Sequence, residues 1–127
     1  TGHNVNINIQ TGKLTITCRN VESTTSRHVN RVKNLNFKDI RADVYKRVQA
    51  EDMSFLDAVL EGVFTVPGDG SIDFHNFARV LSDINYSGWI VVEAEQDPEK
   101  ANPLVYSRMG HQHLTDALQK AAIEIQA

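Results

Sequence analysis

The sequence predicts an α/β fold, and three observations carry that prediction. Residues 89–93, Trp89-Ile90-Val91-Val92-Glu93, are nearly all apolar, as expected of a strand buried on both faces of a parallel sheet. Residues 54–63 and 73–84 place apolar side chains at helical spacing. From residue 32 onward the elements run strand, helices, strand, helix, the alternation that builds α/β proteins.

Residues 4–18 alternate, with Val5, Ile7 and Ile9, then Leu14, Ile16 and Cys18, on either side of Thr11-Gly12. Period-2 alternation around a glycine turn predicts a β-hairpin. Residues 20–30 are polar and weakly patterned. Residues 32–37 predict a short strand that ends in Lys38-Asp39-Ile40-Arg41. Ser54 can cap a helix, with Asp57 completing a capping-box pattern, and Phe55, Leu56, Val59, Leu60 and Val63 form its predicted inward stripe. Asp73 caps a second helix with Phe77, Val80, Leu81 and Ile84 inward, and Asn85-Tyr86-Ser87-Gly88 is a turn. Pro98 and Pro103 break the chain. Residues 113–125 then predict a last amphipathic helix with Leu114, Leu118, Ala122 and Ile125 inward. The chain thus divides into a hairpin-like segment, 1–30, and an α/β segment, 31–127.

Composition narrows the function classes. A chain of 127 residues can bury a real core, and its 41% hydrophobic and 23% charged content is that of a soluble globular protein. A net charge of -3 argues against nucleic acid as the main partner. Arg27, Arg31, Lys33, Lys38, Arg41, Lys46 and Arg47 do cluster, with Phe37 and Tyr45 among them, in the manner of an RNA-binding strip. A solvated helix face with one anion-binding residue accounts for the same run and is preferred. Cys18 stands alone, so no intrachain disulfide is possible and a reducing cytoplasm fits. No apolar run reaches the roughly 18 residues of a membrane span, and the N-terminus lacks the regions of a signal peptide. The chain opens on Thr1-Gly2-His3 rather than Met, as expected of a piece of something longer.

Asp69-Gly70-Ser71-Ile72-Asp73-Phe74 before a helix is similar to the second half of an EF-hand loop. Aligning Gly70 with the loop glycine puts Thr65 at position 1, Pro67 at 3 and Asn76 at 12. Only Asp69 and Asp73 remain as carboxylates, too few for calcium.

The whole run carries a better match. Phe64-Thr65-Val66-Pro67-Gly68-Asp69-Gly70, Ile72-Asp73-Phe74, Gly88-Trp89 and Val91-Val92-Glu93-Ala94-Glu95-Gln96-Asp97-Pro98 together resemble the C-terminal part of the inosose dehydratases, a family within the xylose-isomerase-like TIM barrels. Leu35-Asn36-Phe37-Lys38-Asp39-Ile40-Arg41 resembles their Lys-Asp strand end, and Thr1-Gly2-His3 the end of an earlier barrel strand. The resemblance is dense from Arg31 to Leu114. It implies the C-terminal part of a (β/α)8 barrel, its last two strand–helix units, incomplete as given. A closed barrel takes about 250 residues and rarely fewer than about 200.

The resemblance also implies a site. The family holds a divalent metal, manganese or cobalt, at the carboxyl end of the barrel with two glutamates, an aspartate and a histidine. Glu93 falls on one glutamate and is expected to bind metal and take part in catalysis. Glu95, two residues on, faces the same way and is expected at the substrate. Asn34 stands where the family has its metal histidine, and its carboxamide is a weaker donor than imidazole for these metals. Lys38 is a further catalytic candidate, and His3, Asp39 and Arg41 are substrate-contacting candidates. The family places a helix within residues 4–25, where this sequence alternates like strands. The activity implied is metal-dependent dehydration of a keto-inositol in inositol catabolism. A sugar isomerase or epimerase of the same superfamily, or a non-catalytic remnant, are the alternatives. The partners implied are a small polyol or keto-inositol, and a second copy of the chain or the rest of a longer one.

Overall fold

A computed structural model describes residues 5–17 and 20–126. Its elements are β1 (Ile7–Gln10), α1 (Thr11–Ile16), α2 (Val21–Arg27), β2 (Val32–Phe37), β3 (Asp39–Ile40), α3 (Ala42–Ala50), α4 (Phe55–Leu60), β4 (Phe64–Thr65), α5 (Phe74–Asp83), β5 (Trp89–Val92) and α6 (Pro103–Lys120). Three strands form a parallel sheet in the order β1-β2-β5, while β3 and β4 pair as a short antiparallel ribbon. This is the predicted α/β class, and it accounts for part of a barrel.

Register sorts the sheet into two faces. Ile9 lies opposite Leu35, which lies opposite Ile90, and Phe37 lies opposite Val92. This apolar face packs under α5 and α6, where Phe37 meets the rings of Phe74 and Phe77 at 5.1 Å each. Val32, Leu35, Phe37, Phe74, Phe77, Leu81, Leu114 and Leu118 form one buried cluster there. The other face is polar over β1 and β2: Asn8 lies opposite Asn34 and Gln10 opposite Asn36, with Trp89 and Val91 completing the rows on β5.

The sequence misjudged the first segment. Residues 7–16 are a strand followed by a helix, with β1 parallel to β2, and no hairpin forms. β1 ends at Gln10; Thr1-Gly2-His3, expected to end an earlier strand, lies outside the described residues together with Cys18. Tertiary contact overrides the local β preference of Thr11-Gly12-Lys13-Leu14-Thr15-Ile16. Thr11 is fully buried, and its Oγ1 accepts from the Lys38 N–H at 2.9 Å and donates to the Lys38 carbonyl at 2.7 Å. Gly12 sits so close that a Cβ would lie 3.1 Å from that carbonyl. α2 follows, capped by Asn20, whose side chain accepts from the Ser23 N–H. The expected helical region is therefore present within 4–25, although the alternation hid it.

Three other expectations change. β5 is an edge strand rather than one buried on both faces: Trp89 is 77% and Val91 42% exposed. Ser54 does cap α4, accepting from the Asp57 N–H, but Phe55 and Leu56 point outward and only Ala58 is buried on that helix. Pro103 starts the last helix instead of breaking it, because a proline at the first helical position lacks only an N–H that has no partner there anyway. Asn102 caps it, accepting from the Leu104 and Val105 N–H groups. The helix ends at Lys120, before Ala122 turns to φ 58°, so Ile125 is exposed. α5 meets its expectation, with Asp73 accepting from the Asn76 N–H and Phe77 and Leu81 buried.

Because Phe37 is 0% exposed and stacks on two rings, Phe37→Ala is expected to cost about 3–5 kcal/mol in urea denaturation. A loss under about 1 kcal/mol would show that the aromatic cluster is not the core.

Candidate functional site

The site lies where β1, β2 and β5 end. Asn34, Asn36 and Lys38 alternate along β2, so their side chains leave the same face. Glu93 follows β5 directly, its N–H donating to the Phe37 carbonyl at 2.9 Å, which ties the two strand ends together. Gln10 ends β1 opposite Asn36.

Lys38 is the centre. Its side chain is 0% exposed, and its Nζ lies 2.8 Å from Glu93 Oε1 and 2.5 Å from Glu95 Oε2. It also sits 4.8 Å from the Phe64 ring centroid, over the ring, where the quadrupole favours a cation. A buried ammonium is costly unless paired, and here two carboxylates and an aromatic face answer it. The second oxygen of Glu93 accepts from Asn36 Nδ2 at 3.0 Å and Gln10 Nε2 at 3.3 Å. Asn34 Nδ2 in turn donates to Asn36 Oδ1 at 3.2 Å. Partial burial pushes the Glu93 carboxyl up, but the Lys38 and Asn36 hydrogen bonds and the charges of Lys38 and Lys13 outweigh it and hold the pKa below the ordinary value of 4.5. Lys13, on α1, stands 3.8 Å from Glu95 and remains 46% exposed at the rim.

Asp39 and Arg41 go elsewhere. Asp39 is completely buried, and its Oδ1 accepts from the Ile40 N–H at 2.8 Å and the Ile72 N–H at 2.9 Å. It therefore fastens residues 68–72 and cannot face a substrate, which corrects the sequence expectation. Gly70 is required beside it, because a Cβ there would lie 2.5 Å from the Asp39 carboxyl carbon. Burial raises the Asp39 pKa above 3.8, offset in part by the backbone N–H groups around it. Arg41 Nη1 donates to the Gly62 carbonyl at 2.7 Å, and Nη2 meets Asp69 at 2.6 Å and Thr65 at 3.1 Å. Gln96 Nε2 reaches the same Thr65 hydroxyl at 3.3 Å, linking this cluster to the segment that carries Glu95. His3 lies outside the described residues. Reasoning from sequence missed Gln10, Lys13, Asn36 and Asp69; the period-2 run Asn34, Asn36, Lys38 was a readable signal for one of them.

The family whose signature matches residues 2–120 is that of the xylose isomerase-like TIM barrels. The chain belongs to that family. It is 44% identical over 115 residues to the inosose dehydratase of Salmonella typhimurium, an alignment covering 91% of this chain and 38% of that enzyme. To the inosose dehydratase of Clostridium beijerinckii it is 47% identical over 106 residues, 84% of this chain and 36% of the other. To the rhizopine catabolism protein MocC of Rhizobium meliloti it is 52% identical over 88 residues, 69% of this chain and 27% of the other. The chain thus spans about a quarter to two fifths of the curated relatives it matches. Among the described residues β1 and β5 are the two edges of the parallel sheet.

Donor atoms of the right chemistry stand at this end of the sheet, but Lys38 already takes Glu93 Oε1, and Asn36 and Gln10 take Oε2. Glu93 is a hard anionic oxygen donor, and the Asn34 and Asn36 carboxamide oxygens are hard but weaker ones. Among the described residues no group of three or more His, Cys, Asp or Glu side chains is arranged to hold a metal.

Two pH-linked outcomes follow. In Lys38→Met the burial effect on Glu93 stands without its main counterweight, so its carboxyl should titrate higher by NMR; an unchanged titration would show that Lys38 does not set it. Asp39, with its folded pKa raised, contributes stability that is present below its unfolded value and lost as pH rises through the folded one. Asp39→Asn removes that loss. Its stability relative to the parent should therefore increase as pH rises through the carboxylate range in denaturant titrations, and parallel pH curves would exclude this linkage.

Proposed function

We propose that this chain supplies one wall of the active site of an inosose dehydratase, which removes water from a keto-inositol in inositol catabolism. The observation that carries the reading is the buried Lys38 ammonium between Glu93 and Glu95 at the carboxyl end of parallel strands, in a chain similar to named inosose dehydratases over most of its length. In such a barrel, sites sit at the carboxyl ends of the strands.

Dehydration begins with loss of the proton α to the ketone, and the electron pair moves onto the carbonyl oxygen. The electrons then return to expel the β-hydroxyl, which leaves with a proton as water. Lys38 presents a positive charge that is already oriented and largely dry, suited to an oxyanion that develops during reaction. The short contacts from Nζ to Glu93 and Glu95 give protons a path between ammonium and carboxylates. Arg41, with donors beyond those it uses on Gly62, Thr65 and Asp69, and His3 remain candidates for holding substrate hydroxyls. A divalent cation, manganese or cobalt, bound by Glu93 with the Asn34 carboxamide oxygen would add Lewis-acid polarisation of the ketone. The reading includes a cytoplasmic setting, no role for nucleic acid, and completion of the barrel by more chain or by a second copy. Among the described residues no helix is long and apolar enough to cross a membrane.

The test joins this chain to the N-terminal part of the Salmonella typhimurium enzyme, replacing its matching segment. With manganese, the hybrid is expected to release dehydrated product from keto-inositol, and Lys38→Met should lower kcat by about a hundredfold or more. A folded hybrid that releases no such product would sink the proposal.

A further inference from the structure

Glu95 completes the pairing of Lys38, yet it stands on chain without regular structure. Residues 93–97 follow β5 with no strand or helix of their own. The Glu93 N–H ties them to Phe37 at one end, and a turn closed on the Asp97 carbonyl ends them at the other. Glu93 and Glu95 both turn to Lys38, whereas Gln96 turns to β4, where its Nε2 donates to the Thr65 hydroxyl at 3.3 Å. That hydroxyl also accepts from Arg41 Nη2 at 3.1 Å and donates to Asp69 Oδ2 at 2.6 Å. A hydroxyl has one proton to give and two lone pairs to fill, so Thr65 is fully used. It is completely buried, and it lies opposite Asp39, the neighbour of Lys38. Phe64, the other residue of β4, has its ring against the Lys38 ammonium.

We propose that Thr65 is a positioning residue. Through Gln96 it fixes the backbone that presents Glu95 to Lys38, and through Arg41 and Asp69 it holds the guanidinium in a set relation to that carboxylate. Three groups converge on one hydroxyl, and each constrains the others. Asp69 takes the hydroxyl proton, which leaves only the lone pairs facing Arg41 and Gln96. A hydrophobic residue of the same shape would keep the packing and lose all three bonds, leaving buried polar groups unpaired. The segment bearing Glu95 would then keep its two ends but not its middle. The kinetic part of the test rests on the dehydratase reading above, and the labelling part does not.

Acetylation of the purified chain with acetic anhydride, followed by peptide mass spectrometry, reads how often the Lys38 amine is uncovered. Thr65→Val and Gln96→Leu are each expected to speed labelling at Lys38 by about tenfold, with circular dichroism unchanged, because the segment covering it opens locally. Thr65→Ser, which keeps the hydroxyl, should restore slow labelling. Leu81→Ala, a core truncation on α5, shows what lost stability alone does and should leave Lys38 slow while the chain is folded. Gln96 is partly exposed, so its variant decides the matter if Thr65→Val does not fold. Slow labelling in the folded variants, or an equal rise in Thr65→Ser or Leu81→Ala, would overturn the assignment. In the hybrid enzyme, Gln96→Leu should lower kcat by about tenfold with KM near the parental value, since it acts on Glu95. Thr65→Val should raise KM as well, since it also releases Arg41. A hybrid that releases no product while the labelling pattern stands removes the dehydratase reading alone. An active hybrid whose two variants keep the parental kcat and KM removes this inference alone.

Discussion

The ammonium of Lys38 is the constraint on which the site depends. A fully buried cation is tolerated only when counter-charges and hydrogen-bond acceptors meet it, and this chain gathers them from distant points of the sequence. Glu93 and Glu95 come from the end of β5, Phe64 from β4, and the backbone of Lys38 itself is clamped by Thr11 at the start of α1. Removing any of these leaves a charge without its partners, so the strand ends are obliged to converge. The same charge holds Glu93 ionised, and Glu93 in turn orients the carboxamides of Gln10 and Asn36.

A second fastening lies beside it. Asp39 is next to Lys38 in sequence but on the opposite side of the backbone, and it uses its carboxylate on the Ile40 and Ile72 N–H groups. That hold fixes the glycine-rich loop, where Gly68 adopts φ 92° against His113 and Gly70 presses on Asp39. The loop delivers Asp69 to Arg41, and Thr65 passes the connection on to Gln96. Consecutive residues, Lys38 and Asp39, therefore organise the site and the loop behind it. Asp39 Oδ2, buried with no hydrogen-bond partner, is the one uncompensated oxygen of this arrangement among the described residues. It explains why burial dominates the Asp39 titration.

The exposed inner face follows from the part of the family's barrel that these residues form. In a parallel barrel each strand has two neighbours, whereas among the described residues β1 and β5 each have one. Trp89 and Val91 are apolar because a barrel interior is a packed core.

Much of the fold was legible in the sequence where local signals agreed with tertiary demands. Ser54 and Asp73 mark true helix starts because capping is local chemistry, and Phe77, Leu81, Leu114 and Leu118 turn inward as their spacing requires. The strand at 32–37 and the strand ends bearing Lys38 and Glu93 were likewise readable, as was the family. Residues 11–16 were not, since their alternation favours a second hairpin strand, whereas they form a helix whose first residue, Thr11, is clamped to the Lys38 backbone. Asp39 and Lys38 show the same division within the site. The sequence by itself determined that charged residues stand at the strand ends of an α/β protein. Only the tertiary structure decided which charges meet, because the partners of Lys38 lie more than fifty residues away and the fate of Asp39 depends on which side of the backbone the loop closes.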